Sequence, residues 1–178
     1  GRPVARPQAR VQAALLLRGM DLWPEQDARR QDKAAYLRER LAEVPGIQPQ
    51  AFSAGATKCA YHLFICNYNA EAFDGLHRDR FLAALNAEGI PASRGYNPLY
   101  REPMYSGGID MDGCPFACRF YSGHVDYASL SLPVVEHACD EGSFWLGQNV
   151  LLGDRNDMDS IVEAIAKVHE HRAELLED

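Results

Sequence analysis

The chain has 178 residues, 47% of them apolar and 24% charged, with a net charge of −7, which is the size and make-up of one ordinary globular domain. That acidity excludes a general nucleic-acid binder, which needs a basic face to displace counterions. No apolar run approaches the roughly 18 residues of a membrane-spanning helix. The apolar stretch 13–17 is too short for the core of a signal peptide, so a cytoplasmic location is expected.

The charge is unevenly spread. Residues 1–40 hold nine of the 18 Lys and Arg against five acids, a balance of +4, and the remainder holds nine bases against 20 acids, a balance of −11. A solvated basic helix face is the expected reason. Cys59, Cys66, Cys114, Cys118 and Cys139 make an odd number of thiols, which suits reduced cysteines better than a disulfide framework. The chain opens on Gly1 rather than Met, which suggests a trimmed or partial chain.

Residues 1–9 mix Pro, Arg and small side chains and read as an irregular lead-in. A short helix is expected over 12–20, interrupted by Gly19 and Pro24. A second helix then starts with Pro24 in its first turn and runs to Val44. Its apolar stripe is Ala34, Leu37, Leu41 and Val44, and Pro45–Gly46 ends it. The aromatic and β-branched run 61–68 is the best strand. Residues 77–89 read as a helix with Phe81, Leu82 and Leu85 inward and Gly89 as its C-cap. A strand over 90–96 follows, stopped by Pro98.

Residues 101–131, rich in Gly, Pro and Cys, read as one long loop of the kind that often carries function. A helix over 134–141 and a strand over 144–148 come next, with Phe144 and Trp145 expected in the core. The last helix is capped by Asn156 and buries Met158, Ile161, Val162, Ile165 and Val168. Asp157 and Asp159 lie at its positive end, and Lys167, His169, His171 and Arg172 at its negative end. The pattern predicts an α+β fold, a small sheet covered by amphipathic helices in a single domain over 1–178.

Six segments in order carry a resemblance. RVQAALLL (10–17), AAYLRERLAEVPGI (34–47), YHLFI (61–65), EGIPASRGYNPLY (88–100), GCPFAC (113–118) and DYASLSLPVVEHACDEGSFWL (126–146) resemble the C-terminal small domain of DegT/DnrJ/StrS-type sugar aminotransferases. The resemblance covers about residues 10–172. It implies the small domain of the aspartate-aminotransferase fold (type I), within a dimeric enzyme whose pyridoxal phosphate sits on a separate large domain. It also implies amino transfer to a keto-sugar or ketocyclitol, the cofactor acting as electron sink.

The sequence departs from the family in two places. The family sets its cofactor lysine in a Ser- and Gly-rich loop. Lys33 and Lys167 lie instead in helices and Lys58 just before a strand, each expected to be a solvated surface side chain. The Asn-Tyr-Arg-Met type motif that precedes the QAALLL helix is replaced by Ala5, Arg6, Pro7 and Gln8. No catalytic residue and no cofactor site are therefore expected in this chain, whose partner would be a second copy or a large cofactor domain.

The segment Arg94-Gly95-Tyr96-Asn97-Pro98-Leu99-Tyr100 resembles the family stretch that reaches the substrate side of the cleft. Arg94 could pair with a carboxylate or phosphate, and Tyr96 and Tyr100 with sugar hydroxyls. The alternative is a strand-end arginine in water with two packing tyrosines. Cys114, Cys118, His137 and Cys139 lack a zinc-site spacing. Asp110 and Asp112 begin a calcium-loop pattern that Tyr121 cannot close. His62 is expected to be a hydrogen-bonded core or interface residue. His169 and His171, two apart on a helix, cannot chelate together. The leading reading is a small domain inactive alone. The alternative is a stand-alone binding or dimerisation module, and an unrelated active site in the 101–131 loop is the weakest reading.

Overall fold

In the computed structural model, which describes residues 7–106 and 126–177, sheet and helices form two layers. The helices are α1 (Pro7–Leu41), α2 (Arg78–Ala87), α3 (Pro103–Ser106), α4 (Pro133–Asp140) and α5 (Arg155–Glu170). The strands are β1 (Ile47–Pro49), β2 (Leu63–Tyr68), β3 (Ala92–Arg94) and β4 (Ser143–Gly147). They form one antiparallel sheet in the order β1-β2-β4-β3. The predicted α+β class holds.

Strand alternation puts Phe64, Cys66, Tyr68, Phe144, Leu146 and Ala92 on one buried face. Against it pack Ala34, Leu37 and Leu41 of α1, Phe81, Leu82 and Leu85 of α2, and the Met158–Val168 stripe of α5. These stripes are the ones the apolar spacing predicts. Each fully buried Leu or Phe contributes about 1.5–3 kcal/mol of transfer free energy. Tyr68, Phe73, Phe81 and Phe144 form an aromatic chain with ring separations of 4.8–5.4 Å. The Tyr68 hydroxyl donates to the Leu76 carbonyl at 2.8 Å, which satisfies a polar group in this core. Burial pushes the Cys66 thiol up to about 12, so it is inert packing material.

Several elements differ from the sequence expectation. The two expected N-terminal helices are one, and it runs through Pro24. Strong helix formers on both sides (residues 13–17 and 28–31) offset one lost backbone bond and the ring's crowding. Residues 7–9 are helical rather than lead-in, with Pro7 at the first helical position. The helix ends at Leu41 rather than Val44, though Val44 stays buried. The short β1 was not expected; it follows Gly46, whose φ is +81° and where an added Cβ would lie 2.6 Å from the Ala72 Cβ, leaving no room for a side chain.

β2 begins at Leu63 because Tyr61 adopts φ +48°, outside extended geometry, and His62 is exposed rather than core. β3 is only Ala92–Arg94. The cap of α5 is Asp154, not Asn156: Asp154 accepts from the Asp157 N–H, and Asp157 accepts from the Asp154 N–H, in a reciprocal capping box. Phe144 is fully buried, but Trp145 points to the other face of the sheet and is only half-buried.

The flanks of the expected 101–131 loop are ordered. Short 3₁₀ turns occupy Leu99–Arg101 and Tyr127–Ser129, and α3 lies between them in sequence. Cys114, Cys118, Asp110, Asp112 and Tyr121 lie outside the described residues. No described helix is long and apolar enough to cross a membrane.

Candidate functional site

The Arg94–Tyr100 segment leaves the edge strand β3 and is pinned to α4. Glu136, in the first turn of α4, accepts the Leu132 N–H at 2.8 Å and also takes the Tyr100 hydroxyl proton in a hydrogen bond. These two donors, Tyr100 first, hold the Glu136 carboxyl below the ordinary carboxylate range. The same bond raises Tyr100 above the ordinary phenol value, with burial adding to it. Arg101 completes the group: its Nη1 donates to Asp140 at 2.8 Å and its Nη2 lies 3.8 Å from Glu136. Its guanidinium carbon is 5.7 Å from the Tyr100 ring centroid.

Tyr100, Arg101, Tyr127, Leu130, Ser131 and Glu136 line an open cleft of about 360 Å³. Tyr105 and Tyr127 pack beside it with tilted rings, their centroids 5.3 Å apart. Because Tyr100 spends its proton on Glu136, its oxygen is left as an acceptor. The cleft thus offers an acceptor phenol, carboxylate lone pairs and a guanidinium, a set suited to a small hydroxylated ligand.

Of the three residues singled out in the sequence, only Tyr100 lies in this cleft. Among the described residues neither Arg94 nor Tyr96 lines it. Arg94 is exposed at the end of β3. Tyr96 is 66% exposed and leans edge-on against Trp145, 4.7 Å between ring centroids. Sequence reading missed Arg101 and Glu136. A glutamate three residues past Pro133 at a helix start was the available signal, but its partner lies 36 residues away in the chain.

A cofactor role for a lysine needs an amine free to condense and a carboxylate facing the ring nitrogen. Lys33 bonds to Asp32, Lys58 to Asp27, and Lys167 to both oxygens of Glu88 at 2.8 Å. Lys33 is not solvated as expected, its side chain being only 14% exposed. The Lys58 and Lys167 side chains are themselves exposed. Each lysine is thus paired with a carboxylate. His171 pairs with Glu174 while His169 meets the Ala72 carbonyl, so the two diverge as expected. No cluster of metal-ligating side chains occurs among the described residues.

A second polar cluster sits where α1 leaves the core. Asp27 is buried and bonded to Lys58, which holds its carboxyl down. Arg30, 5% exposed, donates to Gln148, while its Nε and Nη1 have no partner among the described residues.

Comparison with known proteins bears on the family and the fold. L-glutamine:2-deoxy-scyllo-inosose aminotransferase of Streptoalloteichus tenebrarius is 35% identical over 170 residues, covering 92% of this chain and 38% of that protein. The enzyme of the same name from Micromonospora echinospora is 33% identical over 168 residues, with 92% and 38% covered. The chain thus spans about two fifths of the length of its curated relatives. In fold it matches the crystal structure of 3-amino-5-hydroxybenzoic acid synthase, with a TM-score of 0.62 and 20% identity over 85% of this chain and 36% of that one. It also matches the aminotransferase TlmJ from Streptoalloteichus hindustanus, with a TM-score of 0.57 and 19% identity over 89% and 34%. The model of the DegT/DnrJ/EryC1/StrS aminotransferase family matches residues 9–143, and the chain belongs to that family.

Proposed function

We propose that this chain is the small-domain part of a pyridoxal-phosphate-dependent aminotransferase acting on a keto-sugar or ketocyclitol, and that it transfers no amino group alone. The Tyr100–Glu136–Arg101 cleft is its substrate-facing surface, with Arg94 and Tyr96 at the cleft's approach. The observation that carries this reading is that each lysine is held by a carboxylate, while the polar cleft is built from tyrosine, glutamate and arginine. The former suits a chain that does not carry the cofactor, and the latter suits recognition of hydroxyl groups. Relatives named for inosose substrates support a cyclitol as the ligand class.

The test has two arms. Pyridoxal phosphate mixed with the chain and reduced with borohydride should leave no stoichiometric pyridoxyl adduct at a single lysine. One such adduct would overturn the assignment. Titration with scyllo-inosose, followed by NMR, should shift the Tyr100 and Tyr127 resonances in the native chain and not in the Glu136→Gln variant. Equal shifts in both would remove the cleft from the proposal.

A further inference from the structure

The chain between β1 and β2 runs beside α1, and together they wall a pocket of about 220 Å³. Its polar lining is Arg38, Gln50, Ser53 and Lys58, and Phe52, Leu63 and Ile65 supply apolar wall. Among the described residues no carboxylate borders it, in a chain with 25 acids against 18 Lys and Arg. Lys58 is already bonded to Asp27, so the uncompensated charge in this lining is that of Arg38. The Arg38 guanidinium carbon lies over the Phe52 ring, 4.3 Å from its centroid, and 5.7 Å from that of Phe64. With a ring over its face, the guanidinium has the edge that carries its N–H groups left to offer. Among the described residues none of those donors has a hydrogen-bond or ion-pair partner, and Nε is shut off from solvent as well. A charged donor removed from water and left unpaired carries a penalty that a bound anion would relieve.

We infer that this pocket binds a small organic carboxylate, its two oxygens on the open edge of the Arg38 guanidinium and its apolar body against Leu63 and Ile65. A planar fork of N–H donors matches a planar carboxylate bidentately. The Gln50 amide and the Ser53 hydroxyl, neither of them bonded among the described residues, are at hand for the remaining lone pairs. The cavity is smaller than the roughly 300–1,000 Å³ of pockets for drug-sized ligands, which suits a single ring or a short branched chain. An inorganic ion would leave the apolar wall uncovered, and a lone acidic side chain from another segment would fill the space only in part. The pocket flanks β1 and β2, whereas the segment leading to the Tyr100 cleft leaves β3, at the opposite edge of the sheet. The inference therefore goes beyond the substrate reading and stands without it.

The experiment is calorimetric titration of the full chain with benzoate, set against inorganic phosphate and against a glutamate blocked at both backbone ends. Benzoate is expected to bind one to one and more tightly than either comparison probe. Arg38→Gln should weaken it by about tenfold or more, because a charge-assisted bidentate pair is lost. Arg38→Lys keeps the charge without the fork and should recover only part of that loss. Phe52→Ala uncovers the guanidinium at a position that is 52% exposed. It should leave the circular dichroism spectrum unchanged and weaken benzoate by about threefold. Glu136→Gln, in the other cleft, should bind benzoate as the native chain does. No benzoate binding, or binding that Arg38→Gln and Phe52→Ala both leave intact, would overturn the proposal. Loss of binding in Glu136→Gln would move the ligand to the Tyr100 cleft and overturn it too. Tighter phosphate binding would refute the organic carboxylate, and tighter binding of the blocked glutamate would make the occupant a side chain rather than a free molecule.

Discussion

Arg78 is the clearest case of one side chain joining elements distant in sequence. It is 2% exposed, at the start of α2. Its Nη1 donates to the Cys139 carbonyl at 2.7 Å and the Ser143 carbonyl at 3.2 Å, tying α2 to the end of α4 and the start of β4. Its Nε and Nη2 bond Asp79, whose side chain is 52% exposed. Hydrogen bonds to a charged donor contribute about 1.5–3 kcal/mol each, and a buried acceptor left unpaired carries its own penalty. Arg78→Met keeps much of the volume and loses both carbonyl bonds, so it should cost about 3 kcal/mol. Arg78→Ala adds a cavity and should cost about 4 kcal/mol. Asp79→Asn removes only a half-exposed ion pair and should cost less than about 1 kcal/mol. Urea unfolding at neutral pH reads these as shifts in midpoint at constant slope. If Arg78→Met costs under about 1 kcal/mol, the carbonyl bonds are not what holds this corner. If Asp79→Asn costs as much as Arg78→Met, the ion pair is the true anchor.

Other substitutions probe the remaining structure. Asp154→Ala should cost about 1 kcal/mol by thermal unfolding and Asn156→Ala close to nothing; the reverse order would restore Asn156 as the cap. Gly46→Ala should be destabilising in the same assay, because a methyl group there meets the Ala72 Cβ at 2.6 Å in a left-handed backbone. Glu136 has a depressed carboxyl pKa, so its contribution is present above the ordinary carboxylate value and is lost as pH falls through the depressed one. Acid titration of stability should therefore be shallower in Glu136→Gln than in the native chain, and parallel curves would refute the link. His171 is raised by Glu174, so its contribution is present below the ordinary histidine value and disappears as pH rises through the raised one. NMR titration should show its midpoint fall in Glu174→Gln.

The core was legible because its determinants are periodic. Stripes such as Leu37–Leu41 and Ile161–Ile165–Val168 state their face in the sequence, and the structure buries them all. What escaped was set by single local geometries or by distant partners. Tyr61 carries no mark of its φ of +48°, and it trims a strand that propensity alone would begin earlier. Asp154 and Asn156 are both good caps, and only the reciprocal bond with Asp157 decides between them. In the candidate site Tyr100 was visible through resemblance, whereas Glu136 gains its role from a contact 36 residues away. Trp145 looked like core because it follows Phe144, yet neighbours on a strand point to opposite faces.

Pro24 gives α1 a property that its unbroken course conceals. Proline has no N–H, so the Met20 carbonyl, which would receive that proton, loses its helical partner. Pro24 stands three residues before the anchoring of this helix begins at Asp27 and Arg30, the first of its side chains held by the body. The helix is therefore two mechanical segments in series, an apolar arm and a clamped shaft, joined at its softest point. Unfolding that starts at the arm's tip should stop at the joint and not propagate into the sheet. Amide hydrogen exchange should show this as a step in protection between Trp23 and Gln31, the arm exchanging quickly while the shaft exchanges with the core.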